Sequence, residues 1–121
     1  MSVTFLVTRN NNGTHEYLSN DDNEVNVSNV NFASIMRLLE THNDDYCGSL
    51  ADYELHEFKA KINFVLDSVK AMPELDSGTP TEQQGNWIQF GIRPQYYTDR
   101  LSQLLVLVDL AISNEAILSW G

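Results

Sequence analysis

The sequence is poor in cysteine, in basic residues and in long apolar runs. Cys47 is the single cysteine among 121 residues, so no internal disulfide can form. A secreted domain of this size more often carries an even set of cysteines, and one alone points to a reducing compartment. Met1 to Thr8 contains neither a basic segment nor a small-residue cleavage site, so no export signal is expected. No apolar run approaches the ~18 residues of a membrane span. The longest, Leu104 to Ile112, is interrupted by Asp109. The expectation is a cytoplasmic protein with no membrane partner.

Basic residues number seven against 17 acids, a formal net charge of −10. The imbalance is local. Residues 16–57 hold ten acids and one base, Arg37, a net of −9, whereas residues 58–121 hold seven acids and five bases, a net of −2. A direct nucleic-acid binder needs the opposite sign, because phosphate is held by Lys and Arg. An acidic half instead steers a basic partner, or serves solubility alone.

The length is that of one domain, 1–121, able to bury a core without a metal or disulfide. Val3 to Thr8 alternates in the manner of a strand. The Asn10–Gly13 run is a turn, and residues to about 18 return as a hairpin. Glu24 to Val27 reads as a short extended piece. Ser28 or Asn29 can cap a helix over about 29–42 whose apolar face is Phe32, Ile35, Met36, Leu38 and Leu39. Ser49 and Asp52 stand in capping-box register before a second helix, about 50–71, with Leu55, Phe58, Ile62, Val65, Leu66 and Val69 at steps of three and four. Residues 73–86 lack any pattern and read as a loop. Trp87 to Ile92 alternates as a strand. Pro94 suits the first turn of a third helix, about 94–113, whose apolar stripe is Tyr97, Leu101, Leu104, Leu105, Val108, Ala111 and Ile112, and Asn114 suits a left-handed cap. Residues 116–120 form a last strand. Strands at both ends with helices between predict an α+β fold: a small, mostly antiparallel sheet, built from the N-terminal hairpin and two C-terminal strands, with about three helices on one face.

Motifs for chemistry are weak. No two of His15, His42 and His56 have the spacing of a helical metal pair, so no metal or cofactor is expected. Cys47, His42 and Asp44 or Asp45 form a loose triplet with nothing to supply an oxyanion site, and burial for packing is the expectation for Cys47. Asp21, Asp22, Asn23 and Glu24 offer oxygen ligands without the EF-hand spacing. Asp44 and Asp45 are adjacent and diverge on any regular backbone, unlike paired catalytic carboxylates. Two aromatics are candidates for a binding surface. Trp87 lies on the strand face opposite Ile88, Phe90 and Ile92. Tyr96 and Tyr97 start a helix about 100° apart, so one of them should face solvent.

These readings favour a non-enzymatic binding protein whose partner is a protein with a basic surface. Its contact residues are expected among Asp21, Asp22, Glu24, Glu40, Asp44, Asp45, Trp87 and Tyr96. In size and acidity the chain resembles immunity proteins and phage-encoded inhibitors of bacterial defence, a likeness that carries no residue across. Two alternatives stand beside it. One is a structural or adaptor subunit that forms homo-oligomers through strand edges. The other is a small-molecule binder with a pocket between the 73–86 loop, Trp87 and the Tyr96–Tyr97 turn.

Overall fold

The structure is a computed structural model. It describes residues 2–20, 23–41, 46–78, 82–84, 87–89 and 93–121, with the side chains of all but 11, 82–84 and 87–89. The architecture is the expected α+β one: a five-stranded antiparallel sheet and three helices. In chain order these are β1 (Ser2–Asn11), β2 (Thr14–Tyr17), β3 (Val25–Ser28), α1 (Asn29–Leu38), β4 (Gly48–Leu50), α2 (Tyr53–Ala71), a 3-10 turn (Pro73–Asp76), a separate hairpin of β5 (Glu82–Gln84) and β6 (Trp87–Gln89), α3 (Tyr96–Ser113) and β7 (Ile117–Trp120). Among the described residues no helix is long and apolar enough to cross a membrane.

β1 is the spine of the sheet. Asn12 and Gly13, both with positive φ, turn it into β2, as the Asn-Gly signal predicts. β2 and β3 then share one edge of β1. Tyr17 lies opposite Thr8 and Val25 opposite Phe5, so residues 18–24 span a gap of only Leu6 and Val7. A bulge this large would strand the backbone N–H of Val7, and the buried Ser19 takes that hydrogen on its Oγ at 2.9 Å. β7 pairs with the other edge of β1, and β4 pairs with β7.

Period-two alternation selects the core face. Val3, Phe5 and Val7 of β1, Val25 and Val27 of β3, and Leu118 and Trp120 of β7 are buried, while Thr4, Leu6, Asn26 and Ser119 on the opposite face are half-buried or exposed. Against the buried face lie Phe32, Ile35 and Met36 of α1, Leu55, Phe58, Ile62 and Val65 of α2, and Leu101, Leu104, Leu107, Val108 and Ala111 of α3. Phe5, Phe32 and Trp120 form its aromatic centre, with ring centroids 5.8–6.5 Å apart. Leu66 and Leu105, expected in the core, are only partly buried because they flank a cleft between α2 and α3.

Several local expectations are corrected. Ser49 belongs to β4, opposite Ser119, so it caps nothing. The N-cap of α2 is Asp52 at φ 52°, with no side-chain cap bond. Cys47 is exposed, because it lies just outside β4 and its core. Trp87–Gln89 does not join the main sheet: it pairs with the nearby Glu82–Gln84, the shorter loop to close, and 90–92 lie outside the described residues. The first helix ends at Leu38, not near 42, and the third begins at Tyr96, not at Pro94. Asn114 has φ −108°, and the left-handed residue is its neighbour Glu115 at φ 51°.

Candidate docking surface

Of the acids expected at the interface, Asp21, Asp22, Asp44 and Asp45 lie outside the described residues, as does the side chain of Trp87. Glu24 is half-buried where the bulge leads into β3. Glu40 is exposed at the far end of α1. No described cavity has both of them in its wall.

Glu40 gains different neighbours. α1 stops in a Schellman motif. The N–H of Glu40 donates to Arg37 O, and that of Thr41 to Met36 O, both at 3.0 Å. The motif needs a left-handed residue between the two bonds, and Glu40 fills it at φ 54°. The chain therefore turns sharply and sets Glu40 and Thr41 against α2. Along α2, Glu54, Glu57, Lys61 and Phe64 follow at steps of three, four and three, which is one helical stripe. This stripe is exposed, unlike the Leu55–Phe58–Ile62–Val65 stripe that enters the core.

Two hollows meet along that stripe, with Lys61 in the wall of both. The smaller, about 100 Å³, is lined by Thr41, Glu54 and Glu57 over a floor of Met36, Phe58 and Trp120. The larger, about 300 Å³, is a groove between α1 and α2. Leu38, Leu39, Ala60, Phe64 and Val65 line it, and Glu40 and Lys61 are the charged residues among its described walls. Phe64 is 74% exposed and Leu38 39%. One carboxylate, Glu40, and one ammonium, Lys61, thus border the apolar groove, and Glu54 and Glu57 border the smaller hollow that shares Lys61. Among the described residues, Glu40, Glu54 and Glu57 are in no ion pair; the pairs formed are Arg9–Glu16, Lys59–Asp109 and Arg93–Asp99.

The expectation for Tyr96 is corrected. It is the buried member of the tyrosine pair, 7% exposed, while Tyr97 is half-buried. The left-handed Gln95, at φ 63°, turns the chain so that Tyr96 packs inward. The guanidinium carbons of Arg93 and Arg100 lie 5.5 and 5.4 Å from its ring centroid, a cation–π arrangement that uses the ring face internally.

A cleft of about 500 Å³ opens between α2 and α3, near the pocket expected from the sequence. Its described walls are Asn63, Asp67, Lys70, Pro73, Gln95, Thr98 and Ser102 over Leu66, Val69 and Leu105, with no aromatic side chain. Asp76, at its rim, is 4% exposed and already satisfied. Its carboxylate accepts the N–H groups of Tyr97 (3.0 Å) and Thr98 (2.7 Å) and the Thr98 hydroxyl (2.6 Å). It caps α3 from outside that helix, where Gln95 makes no side-chain cap bond. Among the described residues no group of three or more His, Cys, Asp or Glu side chains could hold a metal.

Sequence reasoning counted Glu54 and Glu57 as charges without placing them at a site, and it read Leu38 as core. The available signal was the spacing of residues 54, 57, 61 and 64. A phenylalanine two residues past Ile62 falls about 200° around the helix, away from the core stripe.

No family model matches the chain, and no curated protein or solved structure is significantly similar to it.

Proposed function

We propose that this protein is a non-enzymatic acidic binding protein, of inhibitor or immunity type, that covers a basic site on a protein partner. The observation that carries the reading is that Glu40 lines the apolar groove between α1 and α2 while Glu54 and Glu57 line the neighbouring smaller hollow, the two hollows sharing Lys61. Like charges along one surface repel one another and are tolerated in water. They become favourable when a cationic surface approaches, and they speed that approach over distances of a Debye length, ~8 Å at 0.15 M salt. The apolar groove supplies what the charges lack, a contact that holds once water is excluded. The uneven charge of the chain points the same way, since the acidic segment 16–57 contributes all three carboxylates.

The test is capture of partners from a bacterial lysate by immobilised wild-type protein and by the triple variant Glu40→Gln, Glu54→Gln, Glu57→Gln. A partner held by wild type at low salt, released at high salt and missed by the triple variant supports the reading. A partner held equally by both proteins places the binding surface elsewhere.

A further inference from the structure

We propose that the groove between the end of α1 and the middle of α2 receives the apolar side chains of a basic amphipathic helix. This rests on the acidic-binding reading and specifies what the partner presents. Three observations argue for it. The first is an exposed anchor. α2 buries a complete stripe of Leu55, Phe58, Ile62 and Val65, so Phe64 is surplus to the core, yet it stands in solvent beside Leu38 and Ala60. Large exposed aromatics beside a hollow are where binding energy concentrates.

The second is shape. The groove is bounded by two helices, and the described strands of the main sheet do not line it, so strand addition is not on offer there. An apolar trough between helices takes a third helix, whose side chains at i, i+3 or i+4, and i+7 fall on one side. The third is charge. Glu40 stands at one margin, and Glu57 and Glu54 continue along the α2 stripe past Lys61. A helix with its apolar stripe in the groove brings its flanking positions over these carboxylates, and Lys or Arg there complements them. The left-handed turn at Glu40 is closed by two backbone hydrogen bonds, so this margin is preorganised.

The probes are two synthetic peptides of about 18 residues, identical in Leu, Lys and Ala content. In one, the leucines recur at i, i+4 and i+7. In the other they are spread around the helix. Binding is followed at low salt by NMR shifts and by calorimetry with the full chain. The amphipathic peptide should bind roughly tenfold tighter than its isomer and should shift the signals of Leu38, Lys61 and Phe64. Phe64→Ser should remove most of that difference, and Leu38→Ser should reduce it. Both side chains are exposed in part, and the melting temperature verifies that each variant is folded. The Gln triple variant should weaken both peptides alike. Equal binding of the two peptides, or an unchanged preference in folded Phe64→Ser, overturns the groove and leaves the acidic reading standing. Failure of both peptides to bind at low salt overturns both.

Discussion

Glu40 and Glu115 occupy the same position in two different helix ends. Each is the left-handed residue of a Schellman motif, at φ 54° and 51°. After α3, the N–H of Glu115 donates to Ile112 O at 3.3 Å and that of Ala116 to Ala111 O at 2.8 Å, repeating the pattern that closes α1. Glycine is the usual residue there, because a Cβ makes this conformation costly.

Glu115→Gly should therefore stabilise the protein. Relief of left-handed strain outweighs the extra freedom glycine gives the unfolded chain, for a net gain of ~0.5–1 kcal/mol. Glu40→Gly should stabilise by a similar amount while removing one carboxylate from the groove. Urea midpoints measure both. A lower midpoint for Glu115→Gly would mean that its side chain makes a contact outweighing the strain.

Asp76→Ala should cost about 2 kcal/mol or more, because it strips the start of α3 of a charged cap that accepts three hydrogen bonds. Asp76→Asn keeps one acceptor oxygen and should lose less. Amide exchange at Tyr97 and Thr98 locates the effect. If Asp76→Ala melts with wild type, α3 does not depend on this cap.

Ser19→Ala should cost about 1–3 kcal/mol, far more than an ordinary loop substitution, since it leaves the Val7 N–H buried without a partner. Ser19→Gly should behave similarly. A midpoint shift within ±0.5 kcal/mol of wild type would show that water or a rearranged bulge satisfies Val7.

Deletion of Leu118 to Gly121 should prevent stable folding. β7 is an interior strand that carries Leu118 and Trp120 into the core and joins β4 to β1. The point substitution Leu104→Ala, at a fully buried position, should cost about 2–5 kcal/mol. A truncated chain with an unchanged melting temperature would contradict the sheet order.

What was legible in the sequence was local or periodic. Asn12-Gly13 specifies its own turn, Ser28 caps α1, and the core stripes of α2 and α3 repeat at helical spacing. What was not legible depends on partners distant in the chain. Gly48–Leu50 is a strand because β7 lies beside it, and no local pattern opposes the capping-box reading of Ser49 and Asp52. Asp76 caps a helix that begins twenty positions later. Glu40 comes to line a groove with Lys61 and Phe64 of α2 because α1 ends at Leu38 and not near 42. The charge asymmetry was visible from the start. The placement of Glu40, Glu54 and Glu57 in two hollows that share Lys61 was not, because a count of acids carries no geometry.

The salt dependence of the association rate between this protein and its captured partner, for wild type and the Glu40→Gln, Glu54→Gln, Glu57→Gln variant, decides whether these carboxylates steer binding. Wild-type association should slow steeply as salt rises, with dissociation changing less, and the variant should associate slowly and almost independently of salt. The variant's melting temperature should stay close to wild type, because exposed carboxylates contribute little to stability. Equal association rates for the two proteins at low salt would mean that Glu40, Glu54 and Glu57 do not guide the partner.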